Sequence, residues 1–308
     1  MEEKSTISTV NAFTFLRIDY FSLICSGLIL GLSSLVFYIN HYYWHYAWIS
    51  YFWSGMPFLF FILLLCVGGG VCFLGAKSKI TQVFCYIGLY SCITLLVMYA
   101  TTAVQLTPFS TIDEQLLWAD LKLHYNTVMI LEMLAHSPLI TKALHFGYSF
   151  VLFELLFLPI LLIIFQQFYN IKKYFFYILA TTLIGYIIYY IWPTAAPASM
   201  LYSPHFIEAQ HNTGIKFYQV HHYIYPESFE GGMISMPSFH MIWAILCQQS
   251  VWNIRWLRYT LLPFNILVIC AALFLGWHYF VDFLGSLFVV FIAWLWARRA
   301  DVRQNSRF

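Results

Sequence analysis

The sequence contains few charged residues. Asp, Glu, Lys and Arg make up 9% of its 308 residues, whereas soluble domains carry about 25%. Hydrophobic residues make up 61% of the chain and the mean hydropathy is +0.74, which excludes an ordinary soluble globular protein. The formal net charge of +2 is too small to indicate a nucleic-acid partner. Continuous apolar runs of about 20 residues predict an all-α polytopic membrane helical bundle, because barrel strands are about 10 residues long and alternate.

The sequence also lacks paired cysteines. All seven cysteines fall inside apolar runs and none forms a CxxC pair, which is typical of buried small side chains rather than metal ligands. The histidines of residues 193–237 have no ligand-like spacing, so no metal and no other cofactor is expected. No cleavable signal peptide is expected, because the first apolar run begins near Ile18, is long enough to span, and has no small-x-small site after it.

The apolar runs predict about eight membrane spans. They cover approximately residues 18–39, 56–76, 80–104, 143–165, 175–192, 238–254, 257–277 and 279–298. Residues 105–142 mix charged and apolar residues, which indicates an interfacial helix, whereas the proline-rich residues 193–237, with Gly231 and Gly232, indicate a loop. We therefore expect a two-span extension (1–79), a six-span catalytic core (80–298) and a cytoplasmic tail (299–308).

The distribution of Lys and Arg predicts the orientation. With the N-terminus inside, 12 of the 15 Lys and Arg residues lie on the inner side, and only Lys122, Lys142 and Lys216 lie outside. This bias predicts that both termini are cytoplasmic. All 11 histidines then lie at or near the outer side, so an active site is expected on the extracytoplasmic face, in a periplasm or a lumen.

Two polar motifs border the sixth and seventh spans: "SMPSFH" (235–240) and "HYFVD" (278–282). The 38 residues from His240 to His278 correspond to about 57 Å of helix, or two crossings of a core about 30 Å thick, so a hairpin returns His278 to the same face. Asp282 follows His278 by one helical turn and shares its side of the helix. The alternative without function is that His278 and Asp282 form a hydrogen-bonded polar pair and that His240 has no chemical role.

This combination of groups suits phosphoryl transfer. A carboxylate beside an imidazole fixes its tautomer, a second imidazole acts as general acid or base, and a covalent histidine intermediate becomes possible. Pro237 suits the first position of a helix. The N–H groups of Ser238, Phe239 and His240 would then form an anion site at the helix N-terminus.

These motifs resemble those of the type-2 phosphatidic acid phosphatase superfamily, whose usual pattern is KxxxxxxRP, PSGH and SRxxxxxHxxxD. "PSFH" and "HYFVD", together with "WPTAAP" (192–197), are more similar to its aureobasidin-resistance branch, which includes inositol phosphorylceramide synthase. The resemblance covers about residues 140–298. It implies a six-helix core, His278 as the nucleophile, Asp282 as its orienting group, His240 as the acid and base, and Ser238 and Phe239 at the phosphate.

The departures from the family pattern favour transfer over hydrolysis. The KxxxxxxRP motif and the arginine of the third motif are missing, and Ala272 stands six positions before His278. A phosphatase holds a dianionic monoester, usually with cationic clamps, whereas a phosphodiester carries a single charge. We therefore predict a lipid phosphotransferase, similar to inositol phosphorylceramide synthase, with membrane lipids as donor and acceptor and a lateral opening near His240.

Two other functions stay open: a lipid phosphate or polyprenyl diphosphate phosphatase, and a non-enzymatic lipid transporter on the same scaffold. Lys216, Tyr279 and Pro193 are candidates for the edge of the substrate site. Glu154 lies about 16 Å along its span from the outer edge, which favours a structural role. The sequence gives no indication of the oligomeric state.

Overall fold

The computed structural model describes residues 20–51, 56–75, 78–228 and 234–305, and these fold into helices without any β-strand. Ile18, the Gly231-Gly232 pair and the last three residues of the predicted tail lie outside the described residues. The α-helices are α1 (Tyr20–Ile39), α2 (Met56–Gly69), α3 (Lys79–Val104), α4 (Asp113–Lys122), α5 (Thr127–Ala135), α6 (Pro138–Ile164), α7 (Phe168–Ile191), α8 (Glu208–His221), α9 (Phe239–Ser250), α10 (Arg255–Phe274) and α11 (Phe280–Asn305).

Six described helices are long and apolar enough to cross a membrane: α1, α3, α6, α7, α10 and α11. The predicted fold class, a polytopic helical membrane bundle, is confirmed, and the protein is an integral multi-pass membrane protein. The other two predicted spans correspond to shorter helices. One is α2, which continues into a π-helical turn at Gly70–Leu74, and the other is α9, whose 12 residues extend only about 18 Å.

Helix α7 lies at the centre of the bundle. In its apolar window 72% of the residues are buried, against 22–39% in the other five spanning helices, and it contacts α1, α3, α6, α9 and α11. Its aromatic residues Tyr174, Phe175, Phe176 and Tyr177 all contribute to the largest hydrophobic cluster. Helices α6, α9 and α10 pack together beside it.

The two long connections contain more helix than the sequence predicts. Residues 105–142 form two short helices, α4 and α5, and the start of α6. Residues 193–237 contain a 3-10 turn at Pro197–Ser199 and the 14-residue helix α8. Helix α8 escapes prediction because its buried residues are mostly polar: Gln210, Thr213, Lys216, Gln219 and Val220. No apolar periodicity therefore marks it.

The start of α9 differs by two residues from the expectation. Ser238 is the N-cap, with its Oγ accepting the N–H of Met241 at 3.4 Å, and the helix begins at Phe239. Pro237 thus precedes the cap and does not occupy the first helical position. A serine cap satisfies one of the unpaired N–H groups of the first turn, so the N–H groups of Phe239 and His240 are the ones left at this end.

Candidate active site

The structure brings the two motif histidines together at one end of the bundle. His240 is the second residue of α9 and His278 lies two residues before α11. Their ring centroids are 5.8 Å apart with an interplanar angle of 61°. His278 is 3% exposed, whereas His240 is only partly buried. The hairpin of α9 and α10 therefore returns His278 to His240.

The Nδ1 atom of His278 lies 2.9 Å from the backbone carbonyl oxygen of Ser235. Because a carbonyl oxygen only accepts hydrogen bonds, Nδ1 carries the proton in the neutral ring. The lone pair is then on Nε2, the atom that a nucleophilic imidazole needs free. The first residue of "SMPSFH" thus sets the tautomer of the histidine in the other motif.

The carboxylate of Asp282 supports this arrangement from one helical turn away. Its Oδ2 lies 3.5 Å from His278 Nδ1 and accepts hydrogen bonds from Ser235 Oγ and the Tyr279 N–H, both at 2.9 Å. The contact with His278 is too long for a strong hydrogen bond. Asp282 therefore acts on His278 through its charge and by holding Ser235, whose carbonyl makes the short contact.

Two buried acids of α4 bind the "HYFVD" motif (278–282) through hydrogen bonds. Neither was singled out from the sequence. Asp120 accepts the N–H groups of Phe280 and Val281 at 2.8 and 3.1 Å, so it caps the N-terminus of α11 from another helix. Asp113 accepts the Tyr279 hydroxyl at 3.0 Å and the Ala195 N–H at 2.8 Å. Their seven-residue spacing puts both on one face of α4, a signal that the sequence does contain.

Burial raises the pKa of Asp113 to about 6, although hydrogen bonds from Ala195 and Tyr279 act to lower it. Burial likewise raises the pKa of Asp120 to about 6, against the hydrogen bonds from Phe280 and Val281. Both acids are therefore mainly ionised at neutral pH. As carboxylates they accept N–H and O–H donors more strongly than neutral groups would.

A stack of aromatic rings holds His240. Tyr148 of α6 stacks on the His240 ring with centroids 4.1 Å apart and 22° between the planes. The other neighbour of Tyr148 is Trp277, at 4.6 Å and 9°. This three-ring stack restricts rotation of the imidazole and ties it to the residue that precedes His278.

The predicted phosphate site is bounded by buried groups. Ser238 is fully buried, and its carbonyl oxygen lies 3.1 Å from Ser286 Oγ on α11. The Phe239 ring packs against Tyr186 of α7, with centroids 5.1 Å apart, and a Cβ on Gly185 would come within 2.7 Å of it. The phenylalanine side chain therefore fills a helix contact, and only its backbone N–H faces the helix end.

The other candidate residues take supporting positions. The segment that begins at buried Pro193 joins two parts of the site, because Thr194 Oγ1 accepts the Met236 N–H at 2.9 Å. Tyr279 is fully buried and its hydroxyl is engaged by Asp113. Lys216 is 1% exposed, burial lowers its pKa to about 8, and its Nζ lies 6.0 Å from the Tyr51 ring. No contact joins Lys216 to His278 among the described residues.

We expect Asp120→Asn to weaken both the fold and the site. The new amide group would face one of the two backbone N–H donors of α11, and a lost hydrogen bond to a charged group costs about 1.5–3 kcal/mol. Thermal unfolding in detergent should therefore shift to lower temperature, and turnover should fall. Glu114→Gln, an exposed position on the same helix, is the matched control, and equal behaviour of the two variants would contradict the capping role.

Comparison with known proteins gives one match. A family model described as the PAP2 superfamily matches residues 114–296, a range that contains both motifs and Asp120 and begins one residue after Asp113. No curated protein and no solved structure matches the chain.

Proposed function

Since this chain belongs to the PAP2 superfamily, whose members are phosphatases and phosphotransferases, we propose that it transfers a phosphorylated head group from a phospholipid to a lipid alcohol. The observation that carries the proposal is the pair of histidines at 5.8 Å, one of them with Nδ1 bound to a carbonyl oxygen. Such a pair provides a nucleophile and a separate proton donor.

The proposed reaction has two steps. In the first, Nε2 of His278 attacks phosphorus, the bond from phosphorus to the donor lipid oxygen breaks, and His240 donates a proton to that oxygen. In the second, His240 takes the proton of the acceptor hydroxyl, the acceptor oxygen attacks phosphorus, and the phosphorus–nitrogen bond breaks. The Phe239 and His240 N–H groups would hold a phosphate oxygen at the α9 N-terminus.

The placement of the arginines supports a singly charged phosphodiester as the substrate. The sequence has no arginine between Arg17 and Arg255. Arg255 begins α10, and the histidine site follows the other end of that helix. A dianionic phosphomonoester is usually bound by such cations, so backbone N–H groups alone suit the lower charge of a diester. The alternative reaction is hydrolysis, in which water is the acceptor, and an assay must distinguish it from transfer to a lipid alcohol.

The test is an incubation of purified protein with labelled phospholipids, with and without ceramide or diacylglycerol, followed by identification of the products. We expect a head-group-bearing product that forms only when the lipid alcohol is present. Release of free phosphate from phosphatidic acid without any lipid acceptor would show that the protein is a phosphatase and not a transferase. Lipid movement in liposomes that survives loss of both histidines would instead indicate a transporter.

A further inference from the structure

A cavity lies between α9 and α10, and it extends toward the end of the bundle that is opposite the two histidines. Its volume is about 420 Å³, which falls in the range of small-molecule sites. Gln248, which lines the cavity, follows His240 by eight residues on α9, or about 12 Å along the helix. Trp252, another lining residue, comes four residues later. This end of the cavity is therefore separate from the proposed site of chemistry.

The lining of the cavity changes from polar to apolar along its length. Hydrocarbon surface comes from two residues of α9 and three of α10: Ala244, Ile245, Leu262, Ile266 and Ile269. Toward the end of α9 the lining residues are instead Gln248, Gln249 and Trp252, together with Lys173 of α7. The cavity thus combines a polar end that suits a head group with an apolar slot that suits a hydrocarbon chain.

Two cations border the polar end from different helices. The Lys173 ammonium lies 5.9 Å from the centre of the Tyr177 ring, and the Tyr177 hydroxyl accepts the Nε2 group of Gln249 at 3.1 Å. The Arg258 guanidinium lies 5.0 Å from the centre of the Trp252 ring and donates to the Trp252 carbonyl oxygen at 3.4 Å. Both cations therefore lie at the end of the cavity where Gln249 and Trp252 are.

No acidic side chain offsets these cations in the lining of the cavity, within the part of the chain that the structure describes. The carboxyl group of Glu154 is 2% exposed and lies behind Asn265, whose Nδ2 donates to Glu154 Oε1 at 3.2 Å. Asn265 follows Arg258 by seven residues, or about 10 Å along α10. The polar end of the cavity is therefore cationic, and its charge complements an anionic head group.

The cavity is open toward the surface that faces lipid. Trp252 and Ile266, which both line it, are 55% and 54% exposed. Ile266 belongs to α10, one of the helices long and apolar enough to cross a membrane, and tryptophan is typical of the membrane–water interface. A lipid chain can therefore enter from the bilayer, whereas a free phosphate ion would leave the apolar slot unfilled.

We propose that this cavity binds an anionic phospholipid whose phosphate is held by Lys173 and Arg258. An acyl chain lies along Ile266 and Ile269. Basic pockets between membrane helices bind anionic lipid head groups in this way. A lipid bound here has its head group at the opposite end of the bundle from His278, so it is not in position to react, and the site goes beyond the proposed function.

The test is photocrosslinking of full-length His278→Ala protein in phosphatidylcholine vesicles that contain a small amount of a diazirine-bearing probe. The probe is either phosphatidylglycerol or phosphatidylcholine with the same chains, and mass spectrometry of the labelled peptides gives the position. We expect phosphatidylglycerol to label residues 244–269 about fivefold more than phosphatidylcholine, because one cation near an anionic lipid is worth about 1 kcal/mol. Equal labelling by the two probes would overturn the proposal.

Lys173→Gln should lower labelling by phosphatidylglycerol about fivefold and leave labelling by phosphatidylcholine unchanged. Lys172→Gln is the matched control, because Lys172 is the neighbouring lysine on the same helix and is not among the described residues that line the cavity. This control should label as the parent protein does. An equal loss in both variants would show that the general positive charge of this end attracts the lipid, and it would contradict a site at the cavity.

A third variant keeps the test decisive if Lys173→Gln fails to fold. Ile266→Trp places a larger ring at the exposed wall of the slot, so it should remove most of the labelling by phosphatidylglycerol. Leu284→Trp, at a position 53% exposed on α11, is its control and should leave labelling unchanged. Labelling that Ile266→Trp does not reduce would also overturn the proposal. None of these results depends on catalysis, so all are separable from a failure of the proposed function.

Discussion

Replacement of His278 by alanine is expected to lower turnover by roughly 10⁴-fold or more, because removal of a catalytic nucleophile has effects of this size. In the proposed mechanism the Nε2 lone pair of His278 forms the bond to phosphorus, and the variant has no group to replace it. His278 is nearly fully buried, but the polar contacts of its ring all fall on Nδ1: the Ser235 carbonyl at 2.9 Å, and Ser235 Oγ and Asp282 Oδ2 at 3.5 Å. We therefore expect the protein to remain folded while it loses activity.

The measurement is product formation from labelled phospholipid by the purified variant, together with its thermal unfolding profile. His222→Ala is the matched control. His222 is exposed just after α8, with its ring stacked on Tyr218 at 3.8 Å, and its loss should leave the rate unchanged. Full activity of His278→Ala with an intact fold would eliminate the phosphohistidine mechanism.

The sequence was sufficient for the fold class and for the meeting of the two motifs. A long apolar run in lipid must hydrogen-bond its own backbone N–H and C=O groups, and it does so by forming a helix. The number of residues from His240 to His278 then requires both to lie at the same end of a helical hairpin. These inferences depend on local composition and chain length, which a single sequence displays directly.

The supporting contacts were not predictable in the same way. The Phe280 N–H reaches Asp120 across 160 residues of chain, and the Tyr279 hydroxyl reaches Asp113 across 166. Such pairings depend on how α4 folds back over the bundle, which no local pattern specifies. The two-turn spacing of the acids on α4 indicates a shared face, but it does not indicate what that face contacts.

The residue that caps α9 was also not predictable from local sequence alone. Proline and serine both favour the start of a helix, and local preference alone does not decide which of them is the cap. The structure selects Ser238 because its carbonyl is held by Ser286 of α11 and its Oγ accepts the Met241 N–H. In the proposed mechanism this choice matters, because it leaves the Phe239 and His240 N–H groups to bind a phosphate oxygen.

The second large effect is expected for His240→Gln, which should lower steady-state turnover by about 10²–10⁴-fold, the usual contribution of a general acid or base. Glutamine fills similar space beside Tyr148 but does not exchange a proton. In the proposed mechanism both steps need His240, first to protonate the leaving oxygen and then to deprotonate the acceptor. The leaving-group step is therefore separable from the acceptor step by a change of substrate.

A phosphodiester whose leaving alcohol is a nitrophenol makes this separation, because nitrophenolate leaves without a proton. We expect His240→Gln to release a burst of nitrophenolate within about tenfold of the wild-type rate, since only the acid contribution is bypassed, and then to stall at the second step. His278→Ala should give no burst, whereas His145→Ala, at an exposed position on α6, should behave as wild type. A general acid loses its importance when the leaving group needs no proton. If His240→Gln lowers the burst rate by the same factor as it lowers turnover of the natural lipid, the leaving-group proton must come from another residue.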